Sequence, residues 1–144
     1  MKAILFLLYV LGLNVVLCQD KKTYSIRTIA FYNVENLFDT ENDTLTFDDD
    51  RTPEGKDNWT INKYEKKIAN ISKVLSEIGS GITNTSPDII GLCEVENKSV
   101  VEDLIHHNNL NDKNYGIIHF DSPDERGIDV ALLYKKSVFI PNSF

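Results

Sequence analysis

The sequence predicts an α/β (α+β) domain built on a mixed sheet, and three observations carry that expectation. A β-rich run at residues 24–32 is followed, after a polar tract, by a helical period over residues 60–78 and a short apolar run at residues 89–93. That strand–helix–strand order implies two parallel strands joined by a right-handed crossover. Two more apolar runs, residues 115–120 and 128–134, flank the polar turn Asp121-Ser122-Pro123-Asp124-Glu125-Arg126-Gly127, which implies an antiparallel pair.

The 144 residues make about one ordinary domain. Residues 1–18 are set apart from it. Met1-Lys2 is a short basic start, and Ala3 to Leu17 is apolar except for Asn14. This is the pattern of a secretory signal peptide cleaved before Gln19, since a run of about 15 apolar residues is short for a membrane span. An uncleaved anchor and lipoprotein processing at Cys18 are the alternatives. The domain is then residues 19–144, and the expected location is secreted or periplasmic, at the cell envelope.

Without Lys2, the 22 acidic residues face 14 basic ones, a net charge of −8. Such a chain is not built to hold nucleic acid by bulk electrostatics, although a bridging cation on local carboxylates still allows phosphate binding. Cys93 is the one cysteine left in the mature part, so no internal disulfide is possible, and its apolar neighbours suggest a small core residue.

Tyr24 to Tyr32 is the first expected strand. The acidic tract Asp39 to Asn58, with Asp48-Asp49-Asp50 inside it, keeps no regular period and reads as a long solvated loop over the sheet edge. Trp59-Thr60 opens a helix whose apolar face is Tyr64, Ile68, Ile71, Val74, Leu75 and Ile78, with Lys66, Lys67, Asn70, Lys73 and Glu77 on the other. Gly79-Ser80-Gly81 ends it. Asp88 to Cys93 is the buried strand, and Ser99 to His107 a short second helix with Val100, Val101, Leu104 and Ile105 inward. His106 and His107 read as a solvated helix end, and His119, inside the third strand, as packed. Val138 to Pro141 begins a further extended piece.

Two strand ends carry the candidate chemistry. Tyr32-Asn33-Val34-Glu35-Asn36-Leu37-Phe38 ends the first strand, and Cys93-Glu94-Val95-Glu96-Asn97 ends the second. Open α/β sheets take ligands at the carboxyl ends of their strands. A hard cation such as Mg²⁺ wants oxygen ligands, with Glu94 offering a charged oxygen and Asn33 a neutral one. Helix caps and surface turns are the competing explanation of the same residues.

Three stretches, Tyr32 to Asp39, Pro87 to Asn97 and Arg126 to Tyr134, closely resemble the endonuclease/exonuclease/phosphatase superfamily, in particular its secreted bacterial members. The resemblance implies a four-layered αββα sandwich that cleaves phosphoesters with Mg²⁺, or with Mn²⁺ or Ca²⁺ in its place. It makes Asn33 the asparagine near metal and phosphate and Glu94 the principal metal-binding carboxylate. Arg126 and Asn97 become candidates for substrate binding. The implied partner is a phosphoester, with nucleic acid one candidate, and no stable protein partner is implied.

The later motifs of that family, an Asp-x-Asn pair and a Ser-Asp-His, do not follow Tyr134, where the ten remaining residues hold no Asp and no His. The expectation is therefore the N-terminal half of the fold, with the C-terminal half absent. It would come from a secreted Mg²⁺-dependent phosphoesterase, endonuclease-like in its parent form, with little turnover of its own. A phosphatase or sphingomyelinase-like phospholipid hydrolase, and a non-enzymatic binding module, are the alternative functions.

Overall fold

The computed structural model describes residues 22–143, so the expected signal peptide and Cys18 lie outside the described residues. The elements run in the order β1 (Ile29–Leu37), α1 (Ile61–Glu77), α2 (Ser80–Thr83), β2 (Ile89–Val95), α3 (Lys98–His106), β3 (Tyr115–Phe120) and β4 (Asp129–Lys135). Single 3₁₀ turns sit at Asp49–Arg51 and Asn111–Lys113. The four strands form one mixed sheet in the order β1-β2-β4-β3. β1 runs parallel to β2, and β4 runs antiparallel to both β2 and β3.

β1 begins and ends five residues later than its expected span. Before Ile29 the ladder has only the Asp88 N–H donating to the Thr28 carbonyl, because β2 starts at Ile89, soon after Ser86-Pro87. Beyond Tyr32 the strand continues as far as Leu37, which pairs with Val95 across an irregularity in the ladder. In place of the expected extended piece Val138 to Pro141, a turn ends at Val138, with Val138 and Phe139 N–H both donating to the Lys135 carbonyl, and residues 139–143 join no strand.

Alternation puts Ile90, Leu92, Val95, Ala131 and Leu133 on the face covered by α1 and α3. Tyr64, Ile68, Ile71 and Leu75 of α1 meet Val100, Val101 and Leu104 of α3 there. Burying side chains of this size is worth roughly 1.5–3 kcal/mol each, which is why the helices stay on this face. Two assignments from the helical period change. Val74 is exposed, and Ser72 is buried in its place, accepting from Asn109 Nδ2 at 3.0 Å and facing His107 Nδ1 at 2.8 Å. His107 is therefore a polar joint between the helices rather than a solvated end.

The opposite sheet face carries Ile29, Phe31, Val130, Leu132 and Phe120, all exposed. Phe31 lies flat across Gly91 on the neighbouring strand, where an added Cβ would come within 2.5 Å of the ring. Cys93 sits on this same open face, opposite Asn33 and Val130, and not in the helix-side core. Burial and the neighbouring Glu94 carboxylate raise its thiol pKa, which leaves it a poor nucleophile.

Candidate metal centre

The two candidate strand ends meet, and an irregular ladder is what makes them meet. Asn33 pairs with Cys93 and Leu37 with Val95, so Val34, Glu35 and Asn36 face only Glu94. On the other side Cys93 pairs with Val130 and Val95 with Asp129, which leaves Glu94 as an extra residue. A bulge of this kind re-aims a side chain that a regular strand would send to the other face. Three residues here hold left-handed backbone without being glycine: Glu35 at φ 56°, Asn36 at 62° and Glu94 at 64°. A left-handed backbone costs a residue with a Cβ roughly 1–2 kcal/mol. Clustered strain of this sort is characteristic of functional sites.

The carboxylate of Glu94 is held from both sides. Asn33 Nδ2 donates to Oε1 at 2.9 Å, and the Asn36 N–H donates to Oε2 at 3.1 Å. Asn33 Oδ1 in turn accepts the Glu35 N–H at 2.7 Å. The opposite amide orientation would set an oxygen against a carboxylate and a nitrogen against an N–H, so the network fixes this one. Asn33 thus orients Glu94, and the oxygen that the sequence offers to a cation is engaged within its own turn. A carboxylate has about four lone-pair directions, so two accepted hydrogen bonds leave Glu94 able to ligate. One carboxylate oxygen source of this kind is what a hard divalent cation takes, and Asn33 would then be its positioner.

Lys67 braces the strained turn from beneath. Its ammonium donates to the carbonyls of Glu35 and Asn36 and lies 5.6 Å from the Trp59 ring centroid. Burial lowers the Lys67 pKa, opposed by the Glu35 carboxylate. The helical period had placed Lys67 among the solvated residues, because periodicity cannot see that the β1 turn crosses over that part of α1. Arg126 is an exposed side chain that holds Asp124 at 3.0 and 2.7 Å. Its pKa is raised first by Asp124, with a further push from Glu94.

Asn97 is engaged elsewhere. Its Oδ1 accepts the Val100 N–H at 3.0 Å and caps α3, while its Nδ2 donates to Asp39 at 3.2 Å. Beside it Glu96 accepts the Asp39 N–H at 2.6 Å. Burial pushes the Glu96 pKa up to about 7, and the charges of Asp39, Asp48 and Asp43 add to that rise. Asp48 itself is almost wholly buried, so the acidic tract is not the freely solvated loop its composition suggested.

Residues 28–144 match the Endonuclease/Exonuclease/phosphatase family. No curated protein and no solved structure matches the chain.

Proposed function

The chain belongs to the endonuclease/exonuclease/phosphatase family, and on that premise we propose that it holds a divalent cation at Glu94 for the hydrolysis of a phosphoester. Mg²⁺ is the first choice of ion, with Mn²⁺ or Ca²⁺ as substitutes, because the ligand is a carboxylate. The observation that carries this reading is the bulge at Glu94, which turns the carboxylate onto Asn33 and the Asn36 N–H. A bound cation of this kind supplies Lewis acidity toward a phosphoryl oxygen and acidifies its bound water.

The protein's own part is to position and to bind. Asn33 uses one amide hydrogen on Glu94, and its second is free to meet a phosphate oxygen. Lys67 keeps the Glu35-Asn36 turn closed, so the Asn36 N–H stays aimed at Glu94. Arg126 offers an exposed guanidinium that can exchange Asp124 for a phosphate, a group whose geometry it matches equally well. The substrate we propose is a phosphodiester, cleaved in an endonuclease-like reaction outside the cytoplasm. The leader-like composition of residues 1–18 supports that location. A smaller phosphomonoester or phospholipid headgroup is the second reading, supported by the acidic residues 39–50 beside the site, which repel a long polyanion.

No Ser-Asp-His occurs in residues 1–144 and no Asp-x-Asn follows Tyr134, so we propose binding with little turnover for this chain. Nicking of plasmid DNA and hydrolysis of a phosphodiester reporter with Mg²⁺, for wild type and Glu94→Ala, test this. Weak activity in both is expected. Strong cleavage abolished by Glu94→Ala would keep the site and overturn the low turnover. Strong cleavage unaffected by that change would overturn the site.

A further inference from the structure

We propose a second cation site, formed by His119, Asp121 and Asp129 and suited to a transition-metal ion such as Mn²⁺ or Zn²⁺. It is distinct from Glu94 and does not rest on the reading of that residue. Asp129 alternates with the buried Ala131 and Leu133, and His119 pairs across the ladder with Ala131. Both side chains therefore lie on the helix-covered side of the sheet, whereas Asn33 and Cys93 mark the open side.

The geometry suits one ion. One ligand atom from each residue lies within 4.8 Å of the others. Ligands of a tetrahedral ion bound at about 2.1 Å are about 3.4 Å apart, so an inward movement of about 1 Å closes the set. Asp129 is 9% exposed, and its Oδ1 accepts the Ser122 N–H at 2.7 Å, which fixes the carboxylate. Its Oδ2 lies 3.0 Å from His119 Nε2. Yet Nε2 is buried and makes no hydrogen bond, because it is out of line for donation to that oxygen. A buried polar atom left unpaired costs about 1–3 kcal/mol, and a shared ion would satisfy both groups at once. Asp121 is almost fully exposed, with Oδ1 3.7 Å from Nδ1, and its solvated side chain can turn toward the Nε2 side to complete the set.

The surroundings point the same way. Asp121 and Asp129 line a cleft together with Asp39, Asp43, Glu96 and Asp124, of which Asp124 is held by the Arg126 guanidinium. Behind one wall Asp48 is 1% exposed, with one oxygen accepting the Asp43 N–H and the other without a partner. Buried carboxylates without a balancing charge are costly unless they are paired or hold a metal. An imidazole among the ligands favours Mn²⁺ or Zn²⁺ over Mg²⁺ or Ca²⁺. The Phe47 N–H donates to the Glu125 carbonyl at 2.8 Å, so the acidic loop rests on the same β3–β4 turn that carries Asp121.

The test is Mn²⁺ binding by equilibrium dialysis and electron spin-echo spectroscopy of the full chain carrying Glu94→Ala, which leaves only the proposed site. Retained Mn²⁺ with nitrogen modulation from a bound imidazole is expected. Adding Asp121→Asn, an exposed change that spares the fold, should weaken binding at least about tenfold, the scale on which even an outer partner of a ligand counts. Adding His119→Gln should abolish the nitrogen modulation. Absence of Mn²⁺ binding in Glu94→Ala, bound Mn²⁺ without nitrogen modulation, or unchanged affinity in Asp121→Asn would each overturn the proposal.

Discussion

At the scale of single residues, Glu94 draws its role from a backbone defect. The apolar run that ends in Glu94 makes it legible in the sequence as a charge at a strand end. The bulge and the left-handed backbone that aim it are not legible, because bulge position depends on what the neighbouring strands do. Asn33 was visible as a polar residue at a strand end, but its role as the donor that orients Glu94 required the Glu35 N–H on its oxygen. His119 stood in the sequence as a packed strand residue. Asp121 is its near neighbour in sequence, but Asp129 comes from the next strand, at a separation no local pattern reports.

The same scale gives a pH prediction. The Glu96 pKa stands at about 7 in the folded chain, against an ordinary 4.5, first because it is buried. The folded state therefore holds this proton more tightly than the unfolded one, and stability falls as pH rises from about 4.5 to about 7. With chelator present, Glu96→Gln should raise the thermal midpoint at pH 8 and leave it nearly unchanged at pH 4. An equal shift at both pH values would show that the carboxylate charge is not the cause.

At the scale of elements, periodicity located α1, β2, α3, β3 and β4 to within a residue or two, because each has one buried face. It missed α2, since Gly79 at φ 69° does end α1 but the chain turns straight into another helical turn. It also left the strand order open. β4 lies between β2 and β3, a placement set by which strand best covers the β2 edge and not by any turn.

Two substitutions test how elements are joined at the site. Asn97→Ala removes the cap of α3 and should cost about 1 kcal/mol in urea unfolding. A loss well under half of that would mean the cap is dispensable. Gly127 has φ 67°, and a Cβ on it would come within 2.9 Å of the Thr46 side chain. Gly127→Ala should cost about 1–2 kcal/mol, because a left-handed backbone penalises any Cβ. Greater exposure of residues 43–47 to limited proteolysis should accompany the loss, since that contact presses the loop to the turn.

At the scale of the whole molecule, the sheet has one face sealed by helices and one open to solvent, and equivalent side chains on the two faces should differ sharply. Ile90 is fully buried and Ile29 is 72% exposed, one position apart along their paired strands. Ile90→Ala should cost roughly 2–5 kcal/mol. Ile29→Ala should stay near the roughly 0.5 kcal/mol typical of surface changes. Comparable losses would mean that the open face is covered in solution. The acidity of the chain also acquires a location. Carboxylates gather at the carboxyl end of the sheet, with Glu94 beside Asn33 and Asp129 on the helix-covered side. Net charge alone argued against polyanion binding, and it could not show where a cation would reverse that local field.

The claim on which everything else rests is that Glu94 ligates a divalent cation. Calorimetric titration of Mg²⁺ into wild type and into Glu94→Ala measures this directly. The account predicts a saturable Mg²⁺ heat in wild type, its loss in Glu94→Ala, and its weakening in Asn33→Ala, where the carboxylate survives without its positioner. Equal Mg²⁺ binding by wild type and Glu94→Ala, or no binding by either, would contradict it.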